Sequence, residues 1–331
     1  MVDIALAEQQ LAAPSRSAAL KRFGRSDARF RAMTLGAALL VIAIFVGIMI
    51  SLISGSWLAL HTFGWGFLTT SVWNPVTEKF GAFAAIFGTL VTSALAMIIA
   101  VPLGIGIAIF LTELCPRPLK RPVGIAIELL AGVPSIIYGI WGLFVFAPFF
   151  QQNVEPWIID TFGNVPYLQD VFAGPPYGIG TFTAALILSI MILPFISAVT
   201  RDVFETVPPM LKEAAYGVGC TTWEVMNRIV LPFSRPGVVG GAMLALGRAL
   251  GETMAVTFVI GNAHHINESL LAPGTTISAT IANEFTEALG DLYVSSLIGL
   301  GLILFGITFI VLAVAQIMLK SLERRAGGKS A

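Results

Sequence analysis

The stretch LGRALGETMAV, residues 246–256, sets Arg248 and Glu252 four positions apart inside an apolar run from about Pro236 to Gly261. A charge at the centre of a bilayer costs roughly 2.5–3.5 kcal/mol on insertion scales, so such charges face a bundle interior or a water-filled path. On a continuous helix the two share one face a turn apart, with Gly247 and Gly251 admitting a second helix beside them. The chemistry on offer is anion handling. A guanidinium presents a planar fork of donors that suits two oxygens of a phosphate or a carboxylate. Glu252 can hold the arginine and keep its grip weak enough for release, while Thr253 and Thr257 add hydroxyls. The competing reading is a buried ion pair that serves only assembly.

Other chemistries have little to stand on. Gly328-Lys329-Ser330 resembles the end of a phosphate loop, but Glu323 stands where that loop needs its first glycine. Gly104 and Gly106 begin a dinucleotide-type pattern that fails at Ile109. His264 and His265 are adjacent, a spacing that does not aim two ligands from one helix face, so no metal is expected. No nucleophile with a paired base is evident, so no catalytic residue is assigned.

Lipid is the main solvent of the elements that must position these residues. The chain has 331 residues, 56% hydrophobic and 11% charged, against roughly 25% charged in a soluble domain. Six runs are long enough to cross about 30 Å of hydrocarbon as helices. They lie near residues 33–54, 84–112, 123–150, 179–200, 236–261 and 292–319; Pro102, Pro134 and Pro194 inside spans each favour a kink, but taken singly they are read as the ordinary proline content of membrane helices. Gly132 to Ser135 is expected to break the third. The organisation is a basic tail (1–32), a transmembrane domain (33–319) and a short tail (320–331). The first span, preceded by about 32 mostly polar residues, is read as retained rather than as a signal peptide.

Of the 19 basic residues, 17 lie before span one, between spans two and three, between spans four and five, or after span six. Lys79 is on the opposite side and Arg248 is inside a span. By the positive-inside rule both termini are cytoplasmic. Cys115 and Cys220 then also face the cytoplasm, where thiols stay reduced.

The loop 201–235 reads as two short helices. Pro208 and Pro209 open the first, with Leu211, Ala214, Ala215 and Val218 forming an apolar face and Gly219 ending it. Thr221 or Thr222 caps the second, with Glu224 in its first turn, and Pro232 and Pro236 stop it. A hairpin lying on lipid headgroups and a docking element for a soluble partner are equally good readings of this pattern.

Glu213, Ala214, Ala215, Gly219, Ile229, Val230, Leu231 and Pro232 match the EAA signature of bacterial ABC importer permeases. With GRALGETMAVTFVIGN and ELLAGVPSIIYGIWG, the chain from about residue 33 onward resembles the PstC family of phosphate-importer permeases. The resemblance implies an all-α integral membrane fold of the type I ABC importer permease class, with six transmembrane helices and a cytoplasmic EAA coupling helix pair. It implies that Glu213, Ala214, Ala215, Gly219, Ile229, Leu231 and Pro232 couple the membrane domain to a separate ATPase. Expected partners are a homologous PstA-like permease, a PstB-like ATPase dimer and a periplasmic PstS-like phosphate-binding protein, besides membrane lipid; no nucleic acid is expected. This chain binds no cofactor on this reading, since ATP and Mg belong to the ATPase. An ABC permease for another oxyanion is the nearest alternative, and a proton-coupled transporter using Glu252 is a more distant one.

Overall fold

A computed structural model describes the backbone of residues 16–327, apart from 164 and 167, and the side chains of residues 27–320 with the same exceptions. Residues 1–15 of the expected N-terminal tail and 328–331 of the C-terminal tail lie outside the described residues. The structure is overwhelmingly helical, with six helices among the described residues long and apolar enough to cross a membrane.

Residues up to Ser54 and those from Gly55 onward form two units. The first is the leading part of helix α1 (Arg16–Phe63). The expected boundary at residue 33 lies inside this helix, because no proline occurs between Arg16 and Phe63 to end it. Leu35, Leu39, Val41 and Ile42 are exposed, the pattern of a helix solvated by lipid.

The second unit opens with the end of α1, a short helix α2 (Gly66–Thr69) and a two-stranded hairpin, β1 (Trp73–Asn74) and β2 (Lys79–Phe80), in which Trp73 pairs with Phe80. Helix α3 (Phe83–Ile109) follows and is extended by a π-helical turn, Phe110–Leu114. Its Ala96, Ala100, Gly104 and Ala108 recur every fourth residue and are all buried. Small residues at that spacing let helix backbones approach closely where no hydrophobic effect drives association. The neighbour is α9 (Thr181–Glu205), whose Ile187, Leu188, Met191, Ile192 and Ile196 are sealed in the core. A Cβ on Gly104 would stand 2.7 Å from Ile196 Cγ2. On another face of α9, Gly237 and Gly241 of α12 (Leu231–Leu250) pack against Val203 and Val199.

Three expected segments differ. The run expected as a third span, 123–150, is split: α4 (Arg117–Ala131) ends at Gly132, and α5 (Ser135–Trp141) starts after Pro134. Proline disfavours helix at the residue before it, here Val133. The spanning segment is Ser135–Phe162, in which α5 passes through a π-helical turn into α6 (Ala147–Phe149), then through a second into α7 (Glu155–Phe162).

The second difference concerns Pro232 and Pro236, which do not stop the second loop helix. After α8 (Leu168–Val171), α9 and α10 (Pro209–Gly217), helix α11 (Thr222–Val225) runs through a π-helical turn at Met226–Val230 directly into α12. There the Leu231 N–H donates to the Met226 carbonyl five residues back, so the ladder has already shifted register where Pro232 offers no donor. Third, the run 236–261 is not one helix. α12 ends at Leu250, residues 251–253 are irregular, and α13 (Met254–Val259) follows. Helix α14 (Ile277–Glu284) and the long α15 (Asp291–Gly327) complete the chain.

Candidate functional site

The two interrupted spans meet. A Cβ on Gly139 of α5 would lie 2.9 Å from the Met254 carbonyl and 3.2 Å from Ala255 Cα of α13. Tyr138 closes its own break, its hydroxyl donating to the Leu130 carbonyl at 2.8 Å. Broken helices at membrane depth are tolerated where the irregular backbone is enclosed by protein or lines a water-filled cavity.

Arg248 stands in the last turn of α12, before the break, and Glu252 stands within it. They therefore do not share a helix face: the helix ends between them, since Gly251 caps it out of helical geometry. Nor do they form an ion pair with each other, so the expected holding of Arg248 by Glu252 is corrected. The Glu252 Oε1 instead accepts from the Ala255 N–H at 3.4 Å, closing the first turn of α13. Arg248 is exposed and its Cζ lies 4.6 Å from the centroid of the Phe195 ring on α9. A cation over a ring face is attracted by the ring's quadrupole. Among the described residues no carboxylate comes within ion-pair distance of Arg248. Thr257 Oγ1 donates to the Thr253 carbonyl at 2.7 Å, and Thr253 Oγ1 to the Gly251 carbonyl at 3.4 Å. Both hydroxyls spend their donor on backbone and keep acceptor capacity.

The loop expected to carry coupling folds into a hairpin. Pro208 and Pro209 begin α10, and the helix ends in a two-bond cap: Cys220 N–H donates to Ala215 O at 3.1 Å and Gly219 N–H to Tyr216 O at 3.0 Å. Gly219 has φ +89°, the left-handed conformation this cap needs and glycine supplies without steric cost. Thr221 caps α11 by accepting from the Glu224 N–H at 3.3 Å, while Glu224 accepts from the Thr221 N–H at 2.9 Å. The inward face is Ala215, Val225, Met226 and Val230, packed on Ala108 and Phe204 at the ends of spans two and four. Ile229 and Leu231 are partly buried beside them, whereas Glu213, Ala214 and Pro232 are exposed. The expected apolar face divides: Ala215 is buried, but Leu211 and Val218 stay exposed with Met210, Tyr216 and Trp223.

A third cluster lies beyond the other ends of these helices. Glu284 accepts from Trp73 Nε1 and from the Tyr293 hydroxyl, each at 2.6 Å, and is bonded to His264 Nε2 at 2.6 Å. His264 stacks on Trp73 at 5.6 Å.

The chain as a whole is similar to known proteins. Residues 100–327 match the family model described as binding-protein-dependent transport system inner membrane component. The chain belongs to this family. Within the permease family, it is 67% identical over 313 residues, 95% of this chain and 96% of the relative, to a protein of Mesorhizobium japonicum named phosphate transport system permease protein PstC. A protein of Pasteurella multocida with the same name is 57% identical over 300 residues, covering 91% of this chain and 93% of that one. A permease chain in the crystal structure of a bacterial ABC transporter involved in the import of the acidic polysaccharide alginate superposes with TM-score 0.60. It covers 91% of this chain and 98% of that one at 18% identity, a likeness of fold alone.

Several residues of this permease escape a linear reading. Phe195, the platform for Arg248, lies on a different span, and nothing in its neighbourhood announces it. Lys212 Nζ meets Glu113 Oε1 at 2.6 Å, and Arg201 meets Glu128 at 2.7 Å. In each pair the basic partner comes from a segment distant in sequence from its acid. Glu155, fully buried, accepts from the Gly178 N–H at 2.8 Å and so fixes the loop entering α9.

Proposed function

We propose that this permease is the membrane subunit of an ATP-driven importer of inorganic phosphate, forming half of the translocation path. The identity of 67% across nearly the whole chain to a protein named for phosphate transport carries the substrate reading. The exposed hairpin carries the coupling reading. Glu213, Ala214 and the exposed Met210, Val218 and Trp223 present a surface for a separate ATPase dimer, which binds ATP and Mg; this chain itself holds no cofactor and is not an enzyme. Ala215, Gly219, Ile229, Leu231 and Pro232 shape that surface and join it to span five. A homologous permease supplies the other half of the path, and a soluble phosphate-binding protein delivers substrate outside. Both termini are on the cytoplasmic side of the inner membrane, as the distribution of basic residues requires.

Arg248 is the transient partner of phosphate. It lies over the Phe195 ring with no carboxylate in ion-pair distance among the described residues, at the broken part of span five that Glu252, Thr253 and Thr257 follow in sequence. The test is ATP-dependent uptake of labelled phosphate into vesicles holding the assembled complex, with sulfate and phosphonate as competitors. Arg248→Gln is expected to lower uptake at least tenfold while assembly and ATP hydrolysis persist. Normal uptake by that variant, or loss of assembly, refutes the pathway role; preference for another oxyanion refutes the substrate; uptake without the ATPase refutes the importer class.

A further inference from the structure

At the end of the bundle that carries the coupling hairpin, α4 and the last turns of α9 enclose an open cleft of about 360 Å³. It is lined by Arg117, Lys120, Arg121, Ile125 and Glu128 of α4 and by Arg201 and Glu205 of α9. Arg117, Lys120 and Arg121 stand at spacings that place them on one helix face. The carboxylates here are already engaged. Arg201 is held by Glu128 at 2.7 Å and Asp202 at 3.1 Å, and Lys120 by Glu205 at 3.3 Å. The Arg201 guanidinium lies across the bare backbone of Gly124, where a Cβ would stand 3.0 Å from Nη1. Arg117 and Arg121 are exposed, and among the described residues neither meets a carboxylate within ion-pair distance.

This placement works against the helix unless something else is bound. Three cations in the opening turns of α4 face the positive end of its dipole, where anions are favoured and cations disfavoured. Pro116 gives the helix no side-chain cap. The remainder of α4 exposes Leu119, Ile125, Leu129 and Leu130, so an apolar surface continues from the cationic mouth. A basic cleft opening onto an apolar helix surface beside a span is the shape that accepts a lipid headgroup with its chains alongside.

We propose that Arg117 and Arg121, supported by Lys120 and Arg201, form a binding site for a phosphate-bearing anion, and that an anionic phospholipid occupies it. Free inorganic phosphate has the same headgroup chemistry but makes no use of Ile125 and its apolar neighbours, which favours the lipid. The site is separate from Arg248 and does not depend on the identity of the transported solute.

Native mass spectrometry of the full chain in detergent tests this, with titrations of phosphatidylglycerol, phosphatidylcholine and inorganic phosphate. Wild type is expected to bind phosphatidylglycerol in preference to phosphatidylcholine. The pair Arg117→Gln and Arg121→Gln is expected to weaken binding about fivefold per charge removed. Arg117→Lys with Arg121→Lys is expected to keep most of it. Displacement of the lipid by inorganic phosphate, lost in the Gln pair, would keep the anion site but overturn the lipid as occupant. Equal phosphatidylglycerol binding by wild type and the Gln pair would overturn the proposal, and because both side chains are exposed the pair is not expected to disturb folding.

Discussion

Lys212 of the α10–α11 hairpin and Glu113 of the π-helical turn that ends span two are 2.6 Å apart, with side chains only 19% and 13% exposed. The hairpin is thereby fastened to a second span besides span five, into which it runs as continuous helix. Removing one member of such a shielded pair leaves an uncompensated charge and costs about 3 kcal/mol. Lys212→Met is expected to lower the unfolding temperature of the complex and the phosphate moved per ATP hydrolysed. The reversed pair, Lys212→Glu with Glu113→Lys, is expected to recover most of both. A reversed pair no better than the single variant would show that the contact is not what joins hairpin and span.

Gly139 marks the place where the two interrupted spans touch. A methyl group there would meet Phe258 at 2.7 Å and the Met254 carbonyl at 2.9 Å. Gly139→Ala is expected to destabilise the chain by about 1–3 kcal/mol through overpacking. Thermal unfolding checks this, with Gly106→Ala as the control, since a Cβ at Gly106 meets nothing within 4 Å.

Gly219 tests the hairpin's shape rather than its contacts. A Cβ there meets no neighbour, but φ is +89°, a region in which a β-branched residue is strained. Gly219→Val is expected to cost at least 1 kcal/mol and to weaken ATPase binding severalfold by misdirecting α11, which a pull-down of the ATPase subunit reads directly. Gly219→Asn, which tolerates this conformation, is expected to bind nearly as wild type.

Burial pushes the Glu284 carboxyl up, but its hydrogen bonds with His264, Tyr293 and Trp73 outweigh burial and hold it below the ordinary carboxyl range. A depressed folded value means that the ionised cluster stabilises the fold above the unfolded pKa, near 4.5. That stability is lost as pH falls through the lower folded value. Glu284→Gln is therefore expected to be less stable than wild type at pH 7 and to flatten the stability profile below about pH 4.5. Thermal unfolding across pH 3 to 7 measures both, and an unchanged acid slope would remove Glu284 from the account.

The sequence by itself determined the solvent, the count of six spans, the break at Gly132 to Ser135, the cap at Gly219 and, down to a choice between Thr221 and Thr222, the cap of the helix after it. These depend on composition, run length and nearest-neighbour chemistry, all of which are local. It also exposed Arg248, because an arginine in an apolar run is conspicuous whatever surrounds it. The tertiary structure decided the rest. Pro232 and Pro236 read locally as stops, yet a π-helical turn shifts the backbone ladder and the helix runs on. Arg248 and Glu252 read as helical neighbours, yet the chain turns out of helix at Gly251, and Arg248 finds Phe195 on another span. The partners of Glu113 and Glu128 likewise come from segments far along the chain, as does Trp73, which donates to Glu284. Such pairings follow from which helices lie side by side, and close approach at Gly104, Gly139, Gly237 and Gly241 settles that only when the whole bundle packs.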